Sequence, residues 1–226
     1  MVTGETGEVS VALERLLTLE VAACVGVEKL AMPDDFRRQH AYTAEVCAEL
    51  GRKQGWLRRC FDVAAGLRTP MLVGAVRALT LEQWLELLQR LDLLTGVDVG
   101  EAEAVLCFSW SRMCCTDSAT LRGRHREVTL PFEGFIEALC RLAALKALPS
   151  DLQIVRSGMV DAGWYLGDMR EKQPSQYDSF LRANARTWGS SAPMSQPMAR
   201  CIAHLLELMS HTARRRDIQA LADVKA

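Results

Sequence analysis

Apolar residues recur along this chain every three to four positions, and no alternation of apolar and polar residues runs long enough to predict a sheet. The spacing predicts a first helix from Ser10 to about Ala31, with Pro33 behind it as a stop. Asp34 or Asp35 can cap a second helix that runs to about Leu50, and Gly51 suits its end. Trp56 to Ala65 reads as a third, closed by Gly66, and 67–78, with Thr69-Pro70 and Gly74, reads as a loop. Thr80 caps a helix to about Leu94, and Gly96 to Gly100 makes a turn. Glu101 to about Met113 is the next helix, and Cys114 to Thr129 reads as a polar loop. Pro131 stands in the first turn of a helix to about Leu148, where its missing N–H is not needed. Asp151 to about Lys172, Tyr177 to Trp188 (capped by Ser175) and Met198 to about Val224 complete the helices. Gly189 to Pro197 is a small-residue linker.

A length of 226 residues suits one large or two small domains, and 49% apolar with 24% charged residues predicts a globular chain. A net charge of −1 supplies no overall field for nucleic acid or an anionic membrane. The polar, acidic start is unlike a signal peptide, and Glu14, Arg15 and Glu20 interrupt the apolar stretch from Val9 to Val27, so no membrane insertion is expected. These features predict a cytoplasmic protein. The eight cysteines include no CxxC pair, and six lie within apolar helical patterns, where they read as small buried hydrophobes with free thiols. Cys114-Cys115 falls in the predicted polar loop, a place for oxidation.

One pattern occurs twice: Leu79-Thr80-Leu81-Glu82-Gln83-Trp84-Leu85-Glu86-Leu87-Leu88 and Leu130-Pro131-Phe132-Glu133-Gly134-Phe135-Ile136-Glu137-Ala138-Leu139. Each copy runs from an apolar residue through an acid to an aromatic and an amphipathic helix. Each also follows a helix that ends in a phenylalanine, Phe61 or Phe108. Together they resemble the end of an EF-hand loop and its exiting helix. The resemblance puts Leu79 and Leu130 at the eighth loop position, Gln83 and Gly134 at the twelfth, and Asp62 and Ser109 at the first. A calcium loop has a bidentate glutamate at the twelfth position and six to eight oxygens in all. Both copies lack that glutamate. The loops would also run to about 22 and 26 residues, where a standard one has about 12. The expected fold is therefore all-α, a helical bundle around a paired, calcium-free EF-hand-like core. Phe61, Trp84, Phe108, Phe132 and Phe135 would hold the two units face to face.

The stretch from Trp56 to Pro149 resembles, more narrowly, the degenerate EF-hand modules of flagellar and other microtubule-associated proteins. There a helix with a conspicuous Phe precedes a Thr-hydrophobic-Glu-x-Trp segment, here Thr80 to Trp84. Phe132-Glu133-Gly134-Phe135-Ile136-Glu137-Ala138-Leu139-Cys140-Arg141-Leu142-Ala143 is similar to a segment that tubulin-polymerisation-promoting proteins also carry. The match covers less than half of the chain. It implies a non-enzymatic structural or adaptor role in the cytoskeleton, in the axoneme of a cilium or flagellum, with tubulin or axonemal proteins as partners.

Motifs for phosphate cradles, dinucleotides, HExxH zinc sites and GxSxG nucleophiles are absent, so no catalytic residue, cofactor or metal is assigned. His204 and His211 lie seven apart on one helix face with Cys201 nearby, a pair that reads as surface rather than as a metal site. Two basic clusters are the candidate partner-binding residues: Arg122, Arg124 and Arg126, beside His125, and Arg214, Arg215 and Arg216. No aromatics interleave with them, which argues against nucleic acid. Trp164, Tyr165, Tyr177, Phe180 and Trp188 stand mostly at helical spacing and are expected in the core. The domain division expected is 1–50, N-terminal helices; 51–149, the EF-hand-like pair; and 150–226, a helical region packing on it. The alternative is a soluble, calcium-responsive regulator that binds a target helix in an apolar groove. A helical enzyme whose acids and histidines meet only on folding is a third possibility.

Overall fold

The structure is a computed structural model and describes residues 33–66, 77–112, 119–188, 194–216 and 218. The helix expected at 10–31, Cys24, Cys114-Cys115, most of the 67–78 loop, and parts of the 189–197 linker and of the last helix lie outside them. The described chain is mostly helical. α1 (Pro33–Phe36) continues into a π-helical turn (Arg37–Ala41), followed by α2 (Ala44–Arg52) and α3 (Gln54–Gly66). Next come β1 (Leu79–Thr80), α4 (Leu81–Arg90), α5 (Glu101–Trp110), α6 (Leu121–Val128), β2 (Thr129–Leu130) and α7 (Phe132–Leu145). α8 (Asp151–Ser157), α9 (Ala162–Lys172), α10 (Pro174–Asn184) and α11 (Met198–Arg215) close the chain.

The departures from the expected elements have local causes. The helix expected to end near Leu50 restarts at Thr43, whose side chain accepts from the Val46 N–H at 3.4 Å. The loop expected from Cys114 to Thr129 contains α6, because the Thr120 hydroxyl caps it at Gly123 N, 3.0 Å away. α6 lacks an apolar stripe, so periodicity does not reveal it. The helix expected from Asp151 to Lys172 is two helices. Gly158 takes the left-handed conformation (φ 71°) that ends α8, and Asp161 caps α9 by accepting from Trp164 N at 2.9 Å. Pro174, not Ser175, opens α10, which stops at Asn184. Thr80 caps α4 as expected, through a reciprocal pair with Gln83: Gln83 N donates to Oγ1 at 3.3 Å, and Thr80 N donates to Gln83 Oε1 at 2.9 Å.

β1 and β2 pair antiparallel, Leu79 opposite Leu130 and Thr80 opposite Thr129. The ribbon therefore joins equivalent positions of the repeated pattern. It is too short for an alternating pattern to show in the sequence. Beneath it, the Phe61 ring lies 5.6 Å from both Phe132 and Phe135, and Trp84 sits edge-on to Phe135 at 6.1 Å. Trp84 Nε1 donates to the Ala104 carbonyl at 3.0 Å, which ties α4 to α5. Phe108 is buried in the same core.

One buried cluster runs from Ala41 to Ala213, with α7 at its centre. α7 is buried on nearly every side and packs against the π turn, α3, α5 and α11. It carries two charges inward. Arg141 donates to Glu137 at 2.7 Å, and Arg37 and Tyr42 complete the carboxylate at 3.0 and 2.7 Å. At its C-terminal end the buried Lys146 ammonium meets Asp98 at 3.0 Å and the Leu93 carbonyl at 2.9 Å.

α9 crosses α11 at close range, and small residues permit it. A Cβ on Gly163 would lie 2.5 Å from His211 Cβ and 2.7 Å from the Glu207 carbonyl oxygen, and one on Gly167 would lie 2.6 Å from His211 Nε2. Gly51, by contrast, sits in α2 with nothing within 4 Å of such an atom. Gly163→Ala is therefore expected to lower stability by about 1–3 kcal/mol through overpacking. Gly51→Ala is expected to raise it by up to about 1 kcal/mol through helix propensity. Urea unfolding of the two variants checks the opposite signs.

Candidate functional site

The two helix–loop–helix units, α3–β1–α4 and α5–α6–β2–α7, face each other across the ribbon, and their loop ends are filled by the protein itself. Asp62, which the EF-hand resemblance puts first in its loop, is bound by Arg77 Nη1 at 3.1 Å. Gln83, which the resemblance puts at the twelfth position, is buried, and its Nε2 donates to the Ala65 carbonyl at 3.1 Å. An amide N–H thus points at the oxygen that closes α3. In the second unit the resemblance puts Gly134 at the twelfth position, where a Cβ would lie 2.9 Å from the Ser111 carbonyl oxygen and 3.0 Å from Leu130 Cδ2. Backbone fills the space through which a ligating side chain would have to reach. Ser111 is itself turned back, its hydroxyl donating to the Cys107 carbonyl at 2.7 Å. Ser109, the first position of that loop, offers its carbonyl to Arg112 Nε at 3.3 Å. A hard cation needs six to eight oxygens free to turn inward. Among the described residues, no group of three or more His, Cys, Asp or Glu side chains is set to hold a metal.

Beside these units lies a cleft of about 460 Å³ between the π turn, α2, α3 and α7. Leu50, Leu57, Phe132, Ile136 and Cys140 form its apolar wall, with Tyr42, Arg58 and Glu133 among the polar residues that line it. The Arg58 guanidinium lies 4.1 Å above the Phe132 ring, so the cation covers an apolar surface and leaves the mouth positive on that side. Tyr42 is held by its hydrogen bond to Glu137, and burial together with that carboxylate pushes its hydroxyl pKa up to about 12. The sequence gives one signal for this arrangement: Glu137 and Arg141 stand four apart within an otherwise apolar helix. The cleft itself had none, because its walls come from segments about 80 residues apart.

The basic candidates divide by element. Arg124 and Arg126 are exposed on α6, a helix rather than the expected loop, and Arg124 Nη2 donates to the Ala119 carbonyl at 3.5 Å. Arg122 lies on the same helix. Arg112 Nη1 donates to the Glu127 carbonyl at 2.8 Å and so fixes α6 to the end of α5. Arg214, Arg215 and Arg216 lie at the C-terminal end of α11. They are exposed but bound within the molecule: Arg214 to Ser210 at 2.9 Å, Arg215 to Glu171, and Arg216 to Asp92 and the Arg90 carbonyl.

The two histidines are not a surface pair. His204 is fully buried and meets Asp151 Oδ1 at 3.0 Å, whereas His211 lies 4.8 Å from the Trp164 ring on α9. Burial lowers the pKa of His211. Trp164 is 51% exposed and belongs to the surface with Leu152, Val155 and Val160, contrary to the core role expected of it. Phe180 is buried as expected, and Tyr165, Tyr177 and Trp188 pack against the core half-buried. Cys60, Cys107, Cys140 and Cys201 are buried free thiols, and Cys47 is an exposed one. Among the described residues no helix is long and apolar enough to cross a membrane.

No family model matches this chain. No curated protein and no solved structure matches it significantly.

Gln83→Glu would place a carboxylate oxygen against the Ala65 carbonyl in place of the amide donor. It is expected to cost about 1–3 kcal/mol at neutral pH, with part of the loss recovered below about pH 4, where the protonated acid can donate again. Thermal melts at both pH values test it. Burial pushes the thiols of Cys60, Cys107 and Cys140 up from 9.0 to about 12. The unfolded chain loses those protons first, so their contribution is complete below pH 9.0 and fades as pH rises towards about 12. The urea midpoint should therefore fall on going from pH 8 to pH 10, an alkaline loss set by the thiols' ordinary value of 9.0.

Proposed function

We propose that residues 54–145 are a pair of degenerate EF-hand-like units serving as a calcium-independent, non-enzymatic scaffold of the cytoskeleton. One observation carries the first part of this reading. Leu79 and Leu130, the equivalent eighth positions of the two sequence repeats, face each other in the antiparallel ribbon between the two helix–loop–helix units. The Arg77 contact at Asp62, the Gln83 amide and the crowded Gly134 support the calcium-free part, since each stands where a loop would need a free oxygen. The cytoskeletal part rests on the likeness of Thr80–Trp84 and Phe132–Ala143 to microtubule-associated modules. In this reading the protein belongs to axonemal microtubules of a cilium or flagellum and acts by static docking to tubulin or a neighbouring axonemal protein. Arg122, Arg124 and Arg126 on α6 are the contacts favoured for an acidic partner segment. Arg214, Arg215 and Arg216 would have to exchange internal bonds to Ser210, Glu171 and Asp92 for external ones. That costs part of what a surface ion pair returns.

The second reading, a regulator that takes up a target helix, is favoured by the cleft between α2, α3 and α7. Two experiments separate the readings. The scaffold is expected to stay with the insoluble microtubule fraction after non-ionic detergent and to leave it only in high salt. Release into the detergent-soluble fraction would overturn it. Calorimetric titration with calcium at millimolar concentration is expected to give no heat, and saturable heat with a change in Trp84 fluorescence would restore the calcium-responsive regulator.

A further inference from the structure

We infer that the corner where α8 meets α9 is a self-association surface, on which a second copy of this chain docks about a two-fold axis. Seven large apolar side chains are exposed among the described residues, and four of them, Leu152, Val155, Val160 and Trp164, fall within residues 152–164. The other three, Tyr42, Leu106 and Val128, stand far from one another in the chain. Val155 is 75% exposed and Val160 85%. Leu152 and Val155 lie three apart, on one face of α8. Val160 and Trp164 flank the Asp161 cap of α9, and the two helices pack on each other. Together the four side chains leave roughly 500 Å² of mostly apolar surface in one place, the size of patch that marks a contact site on a globular chain.

This surface is held in shape from behind. Asp161 Oδ1 accepts from Trp164 N at 2.9 Å, and Glu207 Oε2 on α11 accepts from Ala162 N at 3.1 Å. The Trp164 ring rests edge-on to His211 at 4.8 Å, and Gly163 and Gly167 let α9 lie close against α11. An aromatic side chain already fixed in place loses little entropy on docking, which suits tryptophan to anchor an interface.

Charge and area select a second copy as the occupant. Arg156 is exposed on α8 and Asp161 half-exposed before α9, and neither makes an ion pair among the described residues. Asp151, at the start of α8, is taken up by Arg200 and His204. A patch with one unpaired charge of each sign is complementary to itself. Across a two-fold axis Arg156 meets the partner's Asp161, and Asp161 meets the partner's Arg156. A uniformly acidic partner or an anionic membrane finds no net field there. The apolar area of both copies, with the polar rim around it, reaches the total of about 1,200 Å² at which specific interfaces begin. A dimer presents every other docking surface of the chain twice, so a partner with repeated sites is held by both copies more tightly than by either alone.

Sedimentation equilibrium of the full chain between roughly 1 and 100 µM is the test. A reversible monomer–dimer equilibrium is expected, with a dissociation constant in the micromolar range. Val160→Glu puts a carboxylate into the apolar contact and should weaken association at least about tenfold, while the melting temperature of the monomer stays unchanged because the site is exposed. Val128→Glu, at an exposed valine on α6, is the control and should leave the dimer as it is. Arg156→Glu should also weaken the dimer, and mixing that variant with Asp161→Lys should restore association, because opposite charges then face each other at both pairs. Asp161→Lys removes a helix cap, so its helicity is checked by circular dichroism. A chain that stays monomeric throughout this range would overturn the inference. So would a dimer that Val160→Glu leaves intact, one that Val128→Glu weakens equally, or a mixture that associates no better than its separate variants. None of these readouts involves calcium or microtubules, so the dimer can fail while the scaffold reading stands, and the reverse.

Discussion

A helix that is buried on nearly every side cannot be a surface element, and α7 is such a helix. Phe135, Leu139 and Leu142 face different neighbours, and all are fully buried. The rest of the molecule is arranged to surround them: the π turn on one side, α3 and α5 with the ribbon at its start, and α11 across the remaining flank. Glu137 and Arg141 make this arrangement specific. A buried carboxylate tolerates its position only when its oxygens are satisfied, and here Arg141, Arg37 and Tyr42 share them. Two of those partners come from the π turn and the residue after it. The widened turn between Arg37 and Ala41 is thus held to α7 by charge as well as by packing, and Arg141 reaches over the Phe36 ring at 4.6 Å. The same contact sets one wall of the cleft, because Tyr42 lines it while bonded to Glu137.

The loop ends follow a different logic from an ion site. An ion-binding loop keeps oxygens free and is ordered when the cation arrives. Here the corresponding places hold bonds internal to the chain: an arginine on Asp62, an amide on Ala65, a backbone carbonyl against Gly134. These contacts tie the helices of each unit to one another. The sequence shows that no glutamate stands at Gln83 or Gly134, but not what those positions contact. That required knowing that Gln83 reaches back eighteen residues to the end of α3.

What was legible in the sequence was local. Thr80 with Gln83 three residues later is a capping pair visible on inspection, and α4 begins where that pair puts it. The helical class followed from spacing alone, while the burial of Phe61, Trp84 and Phe135 was expected from the EF-hand resemblance. What was not legible was set by contacts distant in sequence or by a single residue. α6 has no apolar stripe and is held by its cap and by Arg112, so hydropathy is silent there. Gly158 and Asp161 divide α8 from α9 by backbone conformation, while the apolar rhythm of Ile154, Val155, Val160 and Trp164 carries on across the break and suggests one helix. The break turns Val155, Val160 and Trp164 out to solvent, and this is why the core role expected of Trp164 fails. The cleft follows the same rule: its two walls, near Leu57 and Phe132, are brought together by α7.

Fixed units and an open groove together define what kind of recognition the molecule can perform. A calcium sensor exposes its groove on demand by changing the angle between helices. Here Gln83 and the Asp62–Arg77 pair oppose such a change in the first unit, and the contact of Gly134 with the Ser111 carbonyl opposes it in the second. Any control over the groove must then come from what occupies it rather than from how it opens.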